Sequence, residues 1–375
     1  MSFLPAIRQL TLTSYRNYQH LVIDLQTRPV VLTGHNGAGK SNVLEALSLL
    51  TPGRGLRQAK LNEISCVSQP TRGWVVSAAV ENNGGVNTVG TSYEADKSQR
   101  RVIRINENTK RDHSALLDLF SMIWLTPHMD SLFLESSSER RRFFDRLVYA
   151  HYPSHADYLT EYQNLMRERL RVLQDHGHQH PWLNGLEQQM AEHAVAIASA
   201  RRQHLKELSP FFLDDPLFPI AHIEIIGDVE HALQDAPALK VEEGLQNIWA
   251  QQRQHDYYSG MTNTGPHRSD FIVHNKLSGL TAIQSSTGEQ KILLLSILIA
   301  QANWQKNNQG SAPILLLDEV AAHLDPARRD RLFNHLINLE SQFWLTGTDS
   351  DSFDGLRDLA QFFLIEKGLV KTSNL

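Results

Sequence analysis

Hydrophobic and polar positions change rhythm along the chain. In the first quarter they alternate. Ala6–Thr13 and His20–Leu25 read as the arms of a hairpin, with Ser14-Tyr15-Arg16-Asn17-Tyr18 as an aromatic and basic turn. Trp74–Val80, Gly85–Tyr93 and Arg101–Asn106 alternate in the same way. Breaks at Asn82-Asn83-Gly84 and Asp96-Lys97-Ser98 predict an antiparallel meander. Pro29–Leu32 is apolar without interruption, as a strand buried on both faces must be. From Thr126-Pro127 the period lengthens. Ser136–Glu139 spells a capping box in front of Arg140–Asp145. Leu159, Tyr162, Met166, Leu170 and Leu173, then Trp182, Leu186, Met190, Ala194 and Ile197, recur at helical spacing and predict two core-facing stripes. The polar stretch Asp175–Pro181 between them reads as a hairpin tip, and its histidines as solvated. From Asp256 strands and helices alternate again: a strand at Phe271–Val273, an apolar helix at Lys291–Gln301, and a buried strand from Pro313 that ends in Asp318-Glu319. Phe343–Thr346 and Phe362–Ile365 are later strands, the last followed by a Lys367-Gly368 turn.

The chemistry begins where Pro29–Leu32 ends. Gly34-His35-Asn36-Gly37-Ala38-Gly39-Lys40-Ser41 fits the phosphate-loop pattern G-x-x-x-x-G-K-[ST], and Asn42–Leu50 reads as the helix that follows, stopped by Thr51-Pro52-Gly53. Such a loop wraps consecutive N–H groups around a phosphate chain, and a helix N-terminus adds its positive end. Lys40 would reach the β- and γ-phosphates of ATP, and the Ser41 hydroxyl would ligate Mg²⁺. An apolar strand ending in two carboxylates supplies the complement: Asp318 would hold Mg²⁺ through water, and Glu319 would orient or deprotonate the attacking water.

For one nucleotide to meet both motifs, strands roughly 280 residues apart must share a sheet. The expected fold is therefore α/β: a P-loop NTPase head built from residues 1–125 and 258–375, with a helical arm, 126–257, inserted. Ser286-Thr287-Gly288-Glu289-Gln290 offers a second anion site at a helix start. It makes most sense as the site for another subunit's nucleotide, in a two-fold dimer.

Composition narrows the setting. With 375 residues the chain can bury a large core. Its one cysteine, Cys66, excludes an internal disulfide framework and fits a reducing cytosol. No signal pattern opens the sequence, and the longest apolar run, near Ile292–Ala300, is too short to span a bilayer. A cytoplasmic protein with no membrane contact of its own is expected. The net charge of −5 argues against indiscriminate coating of nucleic acid and leaves room for a local basic face. Eighteen histidines show no metal-ligand spacing.

Several motifs carry a resemblance. Ser286–Gln290 resembles the ABC-type signature in its SMC-like form, and Ala322-His323-Leu324-Asp325 resembles the D-loop, with Asp325 the shared acid. Tyr15-Arg16-Asn17-Tyr18, the phosphate loop, Pro127 with Arg140–Asp145, and Gly265-Pro266-His267-Arg268-Ser269-Asp270 together resemble the RecF family of bacterial recombination-repair proteins, in motif order across nearly the whole chain. The chain departs from that pattern in three places. His128-Met129 follows Pro127 where an acid is usual, with Asp130 nearby; Ser269 stands where an acid is common; and Thr346-Gly347-Thr348 occupies the switch position.

The resemblance implies an SMC-like, ABC-type ATPase head. It implies a dimer around two ATP molecules that holds single-strand/double-strand DNA junctions at gaps and lets go after slow hydrolysis. It also implies partnership with recombination mediators of the RecR and RecO type. The nucleotide would be met by Gly34–Ser41, by Arg16 and Asn17, and, from the other subunit, by Ser286, Gly288 and Asp325. Candidate DNA contacts are Arg54, Arg57, Lys60, Arg100, Arg101 and Arg104, with Arg140–Arg142 or Arg167–Arg171 on the arm. A transporter ATPase subunit would show a much smaller insertion between its phosphate motifs. A structural or nuclease-associated SMC-like protein would show long heptad arms or a further acidic cluster, and neither is present.

Overall fold

The computed structural model describes residues 3–66, 73–96, 100–110, 113–212, 215–322 and 324–372. Lys97 and Ser98 of the expected turn, and His323 of the stretch that resembles the D-loop, lie outside the described residues.

The alternating N-terminal segments form strands β1 (Ala6–Tyr15) and β2 (Tyr18–Asp24), paired so that Tyr15 faces Tyr18 across the turn. Then come β3 (Val30–Thr33), α1 (Lys40–Ser48), β4 (Gly73–Asn82), β5 (Gly85–Glu94), β6 (Val102–Ile105), β7 (Asn108–Lys110) and β8 (Met122–Leu125). The helical stretch holds α2 (Ser137–His151), α3 (Ser154–His176) and α4 (Trp182–Leu208). After it follow β9 (Ala221–Ile226), α5 (Asp228–Asp235), α6 (Ala238–Ser259), β10 (Asp270–Asn275) and α7 (Thr287–Gln309). The chain closes with β11 (Ile314–Leu317), α8 (Pro326–Asn338), β12 (Phe343–Gly347), β13 (Gln361–Glu366) and β14 (Leu369–Thr372).

By compactness the chain divides into two units. One comprises 1–130, 216–218 and 297–375; the other comprises 131–215 and 219–296. The first holds two six-stranded sheets. One is antiparallel throughout, in the order β2-β1-β4-β5-β6-β7. The other runs β14-β13-β3-β12-β11-β8 and is parallel except for β13 against β14. β3 lies inside this second sheet between β12 and β13, which explains its unbroken apolar run: Val30, Val31 and Leu32 have no exposed surface. Leu10, Trp74 and Val76 from the antiparallel sheet, Leu44 and Leu47 from α1, and Leu316 and Trp344 from the parallel sheet share one core.

In the second unit, Tyr162 of α3, Met190, Ala194 and Ala198 of α4, and Leu245 and Trp249 of α6 pack together. Two arginines are buried among them. Arg169 bridges Glu187 at 2.9 Å and Asp256 at 2.7 Å, and Arg201 bridges Asp145 at 2.8 Å and Glu230 at 3.0 Å. Removing one partner of such a set strands a buried charge, so each acid is needed where it stands.

Three expectations are corrected. The division does not fall at 126 and 257. Residues 258–296, expected in the head, belong to the second unit, because β10 pairs with β9 from Asp270–Ile226 to Asn275–Ala221. Trp182 is 64% exposed, and Leu183 takes the buried place at the start of α4. The capping box at Ser136 does not close: its hydroxyl bonds Ser138 Oγ at 2.7 Å, while Glu139 holds Arg142 at 2.7 Å.

Candidate nucleotide site

β3 delivers the chain to the loop and α1 takes it away. Gly34, Gly37 and Gly39 adopt φ of 139°, 79° and 120°, which side-chain-bearing residues rarely reach. Space is also short, since a Cβ on Gly34 would stand 2.3 Å from the Ile365 carbonyl oxygen. The backbone N–H groups of Gly37, Gly39, Lys40 and Ser41 make no hydrogen bond to any described residue. Four donors unpaired among the described residues, in the loop and at the N-terminus of the helix it feeds, fit a phosphate chain. Lys40 is buried, and its ammonium donates to the carbonyls of Gly34 at 2.6 Å and His35 at 3.0 Å. Burial lowers its pKa, against the pull of Glu319 and Asp318.

The strand-end carboxylates arrive from the other end of the chain. Ser41, 277 residues from Asp318, donates its hydroxyl to Asp318 Oδ1 at 2.9 Å. Thr346 Oγ1 donates to the same oxygen at 2.6 Å and accepts from the Glu319 N–H at 2.9 Å. Glu319 sits at φ 51°, so the chain turns sharply as it leaves β11. Thr346 is thus the threonine of the switch position that touches the Asp318 carboxylate and the Glu319 backbone; Thr348 bonds Asp349 instead.

The aromatic turn braces the loop. Tyr18 donates its hydroxyl to the Gly39 carbonyl at 3.0 Å, and Asn17 donates to the Ala38 carbonyl at 3.2 Å. Arg16 bonds Glu45 of α1 through two nitrogens at 2.8 and 2.5 Å, and Arg57 reaches the same carboxylate at 3.3 Å. The Glu45 hydrogen bond raises the Arg16 pKa. Burial, reinforced by Glu45, raises that of Tyr15. Asn42 links the two arms, donating to Asn17 Oδ1 and accepting from Arg57, both at 2.7 Å. Glu45 and Asn42 were not anticipated. The signal for Glu45 was an acid inside an otherwise apolar helix, where it has to find cations.

The remaining expected residues lie elsewhere. Ser286 opens α7 in the second unit, its N–H and hydroxyl both 2.9 Å from the Glu289 carboxylate. Gly288, next in α7, leaves open space where a Cβ would be. Asp325 caps α8 by accepting the Arg328 N–H at 3.0 Å.

The departures have local reasons. Arg140 grips Asp270 at 2.8 and 2.6 Å, and Ser269 donates to Glu230 at 2.7 Å, where a second carboxylate would face the first. His267 is pinned by Tyr162 at 3.0 Å and the Thr262 carbonyl at 2.8 Å.

The basic candidates also separate. Arg101 is buried and donates to the carbonyls of Leu49 at 2.6 Å and Thr51 at 2.7 Å, closing the end of α1; it is not a surface contact. Arg169 is fully buried, and Arg140 and Arg141 are tied to Asp270 and the Ser269 carbonyl. Arg54, Lys60, Arg100 and Arg104 are exposed.

A glycine loop between β3 and α1, with strand-end carboxylates on β11, a parallel strand of the same sheet one place beyond β12, defines a P-loop NTPase of the ABC/SMC-like head type. The family model described as RecF/RecN/SMC N terminal domain matches residues 6–371, and the chain belongs to the RecF branch of that family. It is 42% identical to "DNA replication and repair protein RecF" of Mesorhizobium japonicum over 97% of each chain. It is 40% identical to the protein of the same description from Rhizobium etli, over 97% of this chain and 98% of the relative. Among solved structures it resembles the recombination mediator protein RecF-ATPrS in the RecFOR pathway, with TM-score 0.85, 22% identity and 99% of each chain covered. It also resembles the Smc head domain from Pyrococcus furiosus, with TM-score 0.56, 17% identity, and 99% and 96% covered. At those identities the likeness is one of fold.

Proposed function

We infer that the protein is a DNA-repair ATPase that uses ATP as a switch for DNA binding in recombinational repair and replication restart. The observation that carries the nucleotide chemistry is the hydrogen-bond chain Ser41–Asp318–Thr346–Glu319 beside the unpaired N–H groups of the loop.

In this reading the loop N–H groups and Lys40 bind the phosphates. Ser41 and Asp318, already in contact, would hold Mg²⁺, which when bound neutralises charge between the β- and γ-phosphates. Glu319 acts as base or water-orienting group, and Thr346 fixes its backbone. Arg16 and Asn17 hold the loop in shape from the side. Ser286, Gly288 and Asp325 complete the partner protomer's site in an ATP-bridged homodimer, so that loss of the γ-phosphate removes the bridge. Exposed cations such as Arg54, Lys60 and Arg104 contact the backbone of gapped DNA, with affinity that falls steeply with salt. Mediators of the RecR and RecO type would then load recombinase at the gap. No helix of the described residues is long and apolar enough to cross a membrane, in keeping with work in the cytoplasm.

The test pairs two variants. Lys40→Met removes ATP binding, ATP-dependent dimerisation and ATP-dependent DNA binding together. Glu319→Gln keeps binding and dimerisation but lowers turnover by about 100-fold or more. Light scattering and gapped-DNA binding, with ATP and ADP, read all three. A Lys40→Met protein that dimerised on DNA in response to ATP as wild type does would overturn the reading.

A further inference from the structure

The parallel strands β13, β3, β12 and β11 lie side by side in that order, so all four end on one edge of their sheet. Ligands of open α/β sheets bind along that edge. Three of the four ends belong to the site described above: β3 delivers the phosphate loop, β11 the carboxylates and β12 Thr346. The end of β13 is as close. Leu364 is level with Thr33 of β3, and the Ile365 carbonyl beyond it leaves no room for a Cβ on Gly34. The chain then reverses into β14 through Lys367-Gly368. A Cβ on Gly368 would stand 3.3 Å from the carbonyl oxygen of Asn17, the residue whose side chain holds the Ala38 carbonyl. The turn thus lies against both the start of the loop and its brace.

The turn is built from an unsuitable residue. Glu366 pairs with Leu369, which leaves two residues to reverse the chain, Lys367 at φ 49° and Gly368 at φ 77°. Both are left-handed, the type I′ arrangement that Asn-Gly fills with least strain. A lysine in the first place strains the backbone, and the hairpin gives no reason for it. Lys367 is exposed, and its ammonium makes no hydrogen bond or ion pair with a described residue. The neighbouring acid is engaged elsewhere: Lys371 holds the Glu366 carboxylate at 2.8 Å and, with His35 of the loop, lowers its pKa. A charged side chain kept at a strained position beside a ligand loop points to the ligand.

We propose that Lys367 is a nucleotide contact, its ammonium meeting the α-phosphate of the nucleotide that the loop binds. This rests on the ATP-binding reading above. The sheet order gives the direction. Ser41 and Asp318 mark the flank of β3 on which Mg²⁺ and the β- and γ-phosphates belong, with β12 and β11. β13 lies on the opposite flank, where the α-phosphate and the nucleoside leave the loop. A lysine, a point charge on a flexible stem, suits a phosphate approached from one side. ATP and ADP both carry that phosphate. The contact therefore strengthens the binding of each alike and leaves hydrolysis to Glu319.

The test uses Lys367→Asn in the full-length protein, because asparagine removes the charge and suits the turn better than lysine. Unlabelled ATP and ADP are titrated by calorimetry, and stability is read by urea unfolding. Lys367→Asn weakens both nucleotides by the same factor, about tenfold, and the loss shrinks as salt is raised. Its unfolding midpoint equals or exceeds that of wild type, and its single-turnover rate at saturating ATP is unchanged. Lys367→Arg keeps most of the affinity. Unchanged affinity for both nucleotides, a loss confined to ATP, or a slower single turnover would each overturn the assignment. So would a Lys367→Asn protein that lost affinity and stability together, since lysine would then be a structural residue. Wild-type protein that bound neither nucleotide would overturn the ATP reading along with it.

Discussion

Arg101 offers a sharp test of where charge acts in this molecule. By sequence it belongs to a basic stretch and reads as a DNA contact. In the structure it is 7% exposed and its guanidinium closes two carbonyls at the end of α1. Hydrogen bonds from a charged donor contribute about 1.5–3 kcal/mol each, so two give about 3–6 kcal/mol gross. Burial opposes this. It lowers the guanidinium pKa to about 10, a penalty of about 3 kcal/mol on the charged form. The net contribution is between about 0 and 3 kcal/mol, centred on about 1.5 kcal/mol. Arg101→Met, which keeps most of the apolar stem, should therefore lose about 1–2 kcal/mol of stability in urea unfolding followed by tryptophan fluorescence. Arg104→Met, an exposed control three residues away, should change it by less than about 0.5 kcal/mol. Measured at equal folded protein, the DNA affinity of Arg101→Met should match wild type. Unchanged stability together with a tenfold loss of DNA binding would refute the reasoning.

Other outcomes follow from the same geometry. Thr346→Val removes the hydroxyl that joins Asp318 to the Glu319 N–H; ATP turnover should fall by about tenfold or more while nucleotide affinity changes little, read by single-turnover kinetics and equilibrium binding. Glu45→Gln leaves Arg16 and Arg57 without their carboxylate and should cost about 3 kcal/mol or more in unfolding experiments, with ATP affinity reduced because the loop loses its brace. Asp145 is held at about 2 by Arg201 and His155, despite burial that pushes the other way. Its folded pKa lies below the unfolded one, so its stabilisation is present above about pH 4 and is lost as pH falls towards 2. Acid titration should melt α2–α4 over that window, and Asp145→Asn, destabilised at neutral pH, should show a flatter profile there.

The head was legible because its strands are apolar on both faces and its motifs have fixed spacing. Val30–Leu32 and Ile314–Leu317 could be assigned to one sheet from shared chemistry alone, and the structure puts β12 between them. Other features were less legible. β9 alternates Ala221, Ile223 and Ile225 with His222 and Glu224, a strand pattern, but it lies inside the stretch expected to be a helical arm and its partner, β10, is about 50 residues further on. Trp182 sits on a helical stripe, but at the start of α4 it is Leu183, one position on, that packs with Val172 and Leu173 of α3. The burial of Arg101 and Arg169 could not be seen, because a buried arginine and a surface arginine have the same letter; what distinguishes them is the carbonyls or carboxylates that tertiary folding brings up. The same holds for Thr346 over Thr348, a choice made only when β12 lies beside β11.

The position of β3 has a consequence for how the protein is made. Both of its neighbours, β12 and β13, come from residues 343–366. During synthesis the phosphate loop emerges before either of these strands, so the strand that aims it stays unpaired until residues 343–366 have left the ribosome. Contacts of this sequence separation are slow to form. Premature termination anywhere before about residue 340 would leave no framed phosphate loop at all. Under the proposed function, nucleotide binding would thus wait for residues 343–366, and a fragment that stops before them would have no framed loop with which to take up ATP.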